Sequence, residues 1–294
     1  MGPAAPDSPR TFPDGAHYRI EIASTEGPAC LEAVVEAAAQ HDLHVHRVSQ
    51  GSGVGMLTDT ELDDMNAIAR EHGIEVSLFA RPTAGWTTSA SARAERGAIV
   101  AGAVHGVDGL RAAMTDIVRA ADHGFRSVLI SDLGLLAAFA AARRDGALPA
   151  DMQAKVSVLL PVANPLTARV LSDLGADTLN VVTDLSVLDL SQLRSATAVP
   201  LDVYVDAPDD LGGFVRHHEA SSIAAAASPA YLKLGLRNAP DLYPSGSHLQ
   251  ATAVALSRER VRRARLVLDR VRTERPELRT SGPGAPGLAV PVTS

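Results

Sequence analysis

The chain has 294 residues, 46% of them hydrophobic and 21% charged, with a net charge of −7. This makeup supplies a sizeable core, excludes a disordered or collagen-like chain, and argues against a nucleic-acid partner, because a phosphate backbone calls for a basic footprint. A single cysteine, Cys30, excludes an internal disulfide, a cysteine zinc site and a self-contained iron–sulfur cluster, each of which needs two or more thiolates.

Residues 1–16 are rich in Pro, Gly, Ser and Asp and read as a flexible, disordered tail with neither the basic flank nor the apolar stretch of a signal peptide. No later stretch is apolar for long enough to cross a bilayer, so the expectation is a cytoplasmic protein with no membrane partner. The folded unit is expected over 17–272. Its first strand is YRIEIA (18–23), followed by a helix opening at Pro28. The second strand is placed at LHVHRV (43–48). The Gly-rich loop from Gln50 to Gly55 lacks the spacing of a dinucleotide fingerprint and reads as a flexible or anion-facing loop. A Thr58-x-x-Glu61 capping box starts the next helix and Gly73 stops it.

The third strand, IEVSLFA (74–80), leads into the long segment RPTAGWTTSASARAERG, which holds the only tryptophan, Trp86. A stretch of that length without periodicity suits a lid or a contact in a homo-oligomer. A helix ending at Gly124 precedes the fourth strand, SVLISD (127–132), and the fifth strand is placed at VSVLLPV (156–162). Asn164 then caps a helix with Pro165 in its first turn and Gly175 as its stop. TLNVVT (178–183), LDVYVD (201–206) and YLKLGL (231–236) complete eight strands. A long Arg-rich helix follows, from about Ala251 to Arg272, and residues 273–294 read as a second disordered tail.

Eight strand–helix units in one domain predict a (β/α)₈ TIM barrel. An open doubly wound sheet fits less well, since no Gly-x-Gly-x-x-Gly follows the first strand. Side chains two apart on a strand share a face. With the apolar set turned to the helices, the predicted barrel interior holds Arg19, Glu21, His44, His46, Ser77, Asn180, Asp202, Tyr204, Asp206 and Lys233, with Arg81, Asp184 and Arg237 near strand ends. Burying so many ionisable groups costs several kcal/mol each unless they pair with one another or meet a ligand.

The chain carries 25 Arg and only two Lys, Lys155 and Lys233, and an amine can lose its proton or form an imine where a guanidinium cannot. The expected catalytic set is therefore Glu21, His46, Asp202 and Lys233. Arg81, Asp184, Tyr204 and Arg237 are the expected substrate-binding set, for a small anionic, carboxylate-bearing molecule. His44, His46 and Asp206 form an alternative set of ligands for a divalent metal, the one cofactor the residues leave open.

Several motifs resemble peptidase family U32, the collagenase-like peptidases. They are IEIASTEGPACLEAVVEAA after residue 19, ISDLGLL at 130–136, Asn164, GADTLNVVTDLS at 175–186 with Asp184 where the family has Glu, and Asp202-Val-Tyr204. The resemblance spans roughly 18–206 and implies a barrel with a site near Glu21, Asp184 and Asp202. Where the family continues through His-Gly into cysteines, this chain reads Asp206-Ala-Pro-Asp-Asp210. Three functional readings stay open: a lyase, isomerase or hydrolase acting on a small anion without an iron–sulfur cluster, a divalent-metal peptidase or amide hydrolase, and a non-catalytic ligand-binding or partner subunit.

Overall fold

The computed structural model describes residues 5–82 and 102–293. The lid or oligomer segment around Trp86 lies outside them, apart from Arg81 and Pro82 at its start. Eight parallel strands close in sequence order: β1 (Tyr18–Ile22), β2 (Arg47–Gln50), β3 (Glu75–Phe79), β4 (Ser127–Ile130), β5 (Gln153–Val156), β6 (Thr178–Asn180), β7 (Leu201–Asp206) and β8 (Ala230–Leu234). Around them run α1 (Pro28–Gln40), α2 (Asp59–His72), α3 (Gly106–Asp122), α4 (Leu133–Arg144), α5 (Pro165–Leu174), α6 (Val187–Ala196), α7 (Ala220–Ala226) and α8 (Gln250–Glu274). The chain is a (β/α)₈ barrel, as its pattern predicts. Among the described residues no helix is long and apolar enough to cross a membrane.

The helix boundaries follow from local chemistry. Thr58 Oγ1 accepts from the Glu61 amide at 3.2 Å, while the Glu61 carboxylate accepts from the Thr58 amide at 2.8 Å. Gly73 then ends α2 in the left-handed region at φ 62°. Removing the cap with Thr58→Ala should cost about 1 kcal/mol in a denaturation experiment. A loss of less than a few tenths would show that packing, rather than the cap, sets this terminus. In α5, Asn164 Oδ1 accepts from the Thr167 amide at 3.0 Å, and Gly175 adopts φ 111°.

Between helices and barrel lies one apolar cluster, to which the strands contribute Ile20, Ile22, Val48, Val203, Val205, Leu232 and Leu234. These are the outward-facing positions. Two strands differ from the sequence reading. β2 starts at Arg47 and turns Arg47 and Ser49 inward, the opposite parity to the one read over 43–48. β5 covers Gln153–Val156, and the more apolar run after it forms part of the barrel mouth, where Ser157, Val158 and Leu159 line a cavity.

The segments read as tails pack against the amino-terminal end of the barrel. Phe12 lies under Arg19, whose guanidinium carbon is 4.0 Å from the ring centroid. Arg19 Nε donates to Ser281 Oγ at 2.8 Å and Nη2 to the Pro286 carbonyl at 2.7 Å. The Ala289 amide reaches Glu75 Oε2 at 3.3 Å, and the Val292 amide donates to the Gly124 carbonyl at 2.9 Å. These stretches lack periodicity because they run over the barrel end as irregular chain. The polar groups on the inner strand faces supply their partners, which composition alone does not reveal.

Candidate active site

The centre of the barrel is ionic where most such barrels stack Val, Ile and Leu. Strand register sets it up: Glu21 on β1 lies beside Arg47 on β2 and Lys233 on β8, Arg47 beside Glu75 on β3, and Asn180 on β6 beside Asp202 on β7. Arg47 Nε donates to Glu75 Oε1 at 2.7 Å and Nη1 to Asp202 Oδ1 at 3.0 Å, with Glu21 Oε2 at 3.4 Å. Lys155 from β5 contacts Glu21 and lies 3.0 Å from Asp202 Oδ2. Lys233 Nζ is 3.0 Å from Glu21 Oε1, and Ser49 Oγ donates to that same oxygen at 2.9 Å. Three carboxylates thus meet three cations, and all six residues are buried.

Burial pushes the Glu21 carboxyl up, but Lys155, Lys233 and Arg47 outweigh it and hold the group far below the usual carboxylate range. Burial pushes the Lys155 amine down to about 8, helped by the like charges of Lys233 and Arg47 and opposed by Asp202 and Glu21. The unfolded chain keeps that proton up to about 10.5. Between these values the unfolded state binds more protons, so this group makes stability rise with pH. Denaturant midpoints of the wild type, set against those of Lys155→Met, should therefore climb between about pH 8 and about pH 10, below the range where the raised phenols of Tyr204, Tyr231 and Tyr243 act in the opposite sense. Parallel profiles for the two proteins would contradict the assignment.

Lys233 is where this network meets the mouth. It forms the floor of a cavity of about 290 Å³ at the carboxyl ends of the strands, with Ser49, Arg81, Asn180, Tyr204 and Tyr243 among the walls. Its amine lies 4.8 Å from the Tyr204 ring centroid. With the Asn180 amide oriented to satisfy both of its ends, its oxygen accepts from Lys233 Nζ at 3.0 Å and its nitrogen donates to the Asp202 carbonyl at 3.3 Å. Arg81 Nη1 donates to the Gly51 carbonyl at 2.8 Å, and its guanidinium carbon lies 5.1 Å from the Tyr243 ring centroid. The Tyr243 and Ser24 hydroxyls are 2.5 Å apart.

The structure gathers Glu21, Asp202, Tyr204, Arg81 and Lys233 at or just beneath this cavity and takes the other expected site residues elsewhere. His46 sits at the amino-terminal end, where Nδ1 accepts from the Ile20 amide at 3.0 Å and Nε2 lies 2.8 Å from the Ser281 carbonyl. Burial and the neighbouring His44 push His46 down to about 3, so it is a neutral, satisfied core histidine. His44 packs edge-on against it, with ring centroids 4.7 Å apart. Asp206 is deflected by a register shift in β7 and binds Arg263 Nη1 at 2.7 Å and the Arg237 amide at 2.8 Å. The His44, His46 and Asp206 set therefore does not converge, and no group of three potential metal ligands gathers among the described residues. Asp184 and the Arg237 side chain are exposed in loops after β6 and β8.

The Gly-rich loop after β2 faces an anion of the chain itself, the Glu26 carboxylate. Its Gly51 and Ser52 amides donate to the Glu26 carboxylate at 2.8 and 2.9 Å, and its Gly53 amide to Gln50 Oε1 at 3.0 Å. Gly51 serves a close approach, since a Cβ there would fall 2.4 Å from the Tyr243 ring. The sequence reading missed Arg47, Ser49, Glu75, Lys155 and Tyr243 as parts of the site. The scarcity of lysine was the one available signal, and it pointed to Lys155 as much as to Lys233.

No protein-family model and no curated protein matches the sequence. Among solved structures, the chain is similar to a protein assigned as a fructose-1,6-bisphosphate aldolase of Coccidioides immitis, with 13% identity, TM-score 0.54, and 87% of this chain and 91% of that one covered. It is also similar to a truncated 3-deoxy-D-arabino-heptulosonate 7-phosphate synthase from Thermotoga maritima (14% identity, TM-score 0.48, 90% of each chain). A U32 peptidase matches over 68% of this chain and 73% of its own, with 20% identity and TM-score 0.43. At these identities the likeness is one of fold, the TIM barrel.

Proposed function

We propose that the chain is a lyase-type barrel enzyme that takes a small carbonyl compound bearing a carboxylate and binds it covalently through Lys233. The observation that carries this reading is the position of the Lys233 amine, at the floor of a cavity on the barrel face where such folds bind substrate. Arg81 on the wall suits the carboxylate. Lys155 and Lys233 both pair with Glu21, and burial lowers the Lys155 amine to about 8. In its neutral form the Lys233 amine can attack the substrate carbonyl.

The balance is that of an imine. The Lys233 nitrogen bonds the carbonyl carbon, the carbonyl oxygen leaves as water, and the protonated imine accepts the electron pair of a bond broken at the adjacent carbon, where the other fragment leaves as a carbonyl compound and a proton returns to the enamine carbon. Hydrolysis restores the lysine. Tyr204 and Tyr243 keep their phenolic protons through the usual pH range because burial raises both, and they can donate hydrogen bonds to the substrate oxygens. The motif resemblance to peptidase family U32 rests in part on Glu21, Asp202 and Tyr204, and it supports a shared location for the site more than a shared reaction. Borohydride reduction in the presence of 2-oxo acids such as pyruvate should leave a stable adduct on the Lys233 peptide by mass spectrometry. Failure to label that peptide with any member of a panel of small aldehydes and oxo acids would overturn the reading.

A further inference from the structure

A second cavity, of about 320 Å³, opens on the same face between the loops after β1, β7 and β8 and shares Ser24, Tyr204, Asp210, Leu211 and Tyr243 with the first. One lining residue, Arg260 from α8, is 2% exposed. Its Nε donates to the Gly235 carbonyl at 3.2 Å and Nη1 to the Ser24 carbonyl at 3.4 Å. Among the described residues Nη2 has no hydrogen-bond partner and no carboxylate forms an ion pair with Arg260. Burial disfavours the Arg260 charge and the Glu26 carboxylate offsets this only in part through space, while a planar guanidinium with an open terminal nitrogen fits an incoming carboxylate. The rim of the same cavity carries the opposite charge, in Asp209, Asp210 and Asp241.

A plain anion would meet repulsion at that rim on its way to Arg260. A ligand with an ammonium group close to its carboxylate satisfies both ends. We propose that this cavity binds an amino-carboxylate group, with the carboxylate on Arg260 and the ammonium facing Asp210 and Asp241. Desolvation and the like charges of Asp241 and Asp209 raise the Asp210 carboxyl above its ordinary value, a strain that a bound ammonium relieves. The binding claim stands without imine chemistry; that the occupant is the far end of the molecule handled at Lys233 rests on the reading above.

Glycine and acetate differ by the ammonium alone, which makes them the probes. In ¹H–¹⁵N spectra of the full chain, the Arg260 Nε–H signal, assigned by its loss in Arg260→Gln, should shift saturably with glycine and about tenfold more weakly with acetate, the difference of one charge-assisted hydrogen bond. Asp210→Asn, an exposed change that does not depend on Arg260→Gln folding, should reduce glycine binding to the level of acetate. Lys233→Ala should leave the glycine titration unchanged, so failed trapping at Lys233 and a failed titration here are separate results. No saturable response to glycine, or equal responses to glycine and acetate, overturns the proposal.

Discussion

Lys233→Ala should abolish borohydride-trapped adduct formation altogether, and with it any turnover that proceeds through the adduct, whereas Lys155→Ala should slow trapping without moving the label. The contrast follows from placement. Both amines are buried, but only Lys233 lines the cavity, while Lys155 lies beneath Glu21 and Asp202. Substrate can therefore reach one nitrogen and feel the other only through the Glu21 carboxylate that both amines contact. Lys233→Arg keeps the charge and the pairing to Glu21 and cannot form an imine, so it separates chemistry from folding. With just two lysines in the chain, peptide mass spectrometry reads the labelled position directly. Adduct retained in Lys233→Ala would place the nucleophile elsewhere and end the imine mechanism.

The second large effect concerns stability. Among the described residues Glu21 is the one carboxylate that touches Arg47, Lys155 and Lys233 together, and Glu21→Gln leaves those three cations with Glu75 and Asp202. Removing one partner from a buried ionic cluster strands charge in a low-dielectric interior, so the substitution should cost about 3–5 kcal/mol by urea denaturation. Glu21→Gln combined with Lys233→Met restores the balance and should recover part of that loss, a coupling that a double-mutant cycle measures. A single-mutant cost below about 1 kcal/mol would mean that water, rather than Glu21, compensates the cations.

The barrel was legible because its outward faces obey ordinary apolar alternation and its helices carry explicit caps, as at Thr58, Asn164, Gly73 and Gly175. The inner face was legible only where a strand begins on an apolar residue turned to the helices, as in β1 and β7, so that Glu21, Asp202 and Tyr204 fell into place. Over 43–48 the same alternation runs one residue out of phase. His44 and His46 belong to the amino-terminal end of the barrel, and Arg47 reads as a surface cation to any rule that expects a greasy interior. Lys155 was lost for a related reason. The most apolar run nearby, 156–162, attracts the strand assignment, yet its side chains are needed at the mouth rather than in the barrel wall. Charge pairing across six strands depends on register, and register between distant segments leaves no local trace.

Arg19 belongs to the first strand, and the Ser281 hydroxyl that receives its Nε–H lies 262 positions later. A ribosome delivering this chain from the front exposes that guanidinium long before its acceptor has been synthesised. The same delay applies to Glu75 and the Ala289 amide, 214 positions apart. Completion of these contacts is thus tied to synthesis of residues 281–289, so nascent chains stalled or cleaved short of residue 281 should hold a loosened, protease-sensitive first strand even after every barrel strand has emerged.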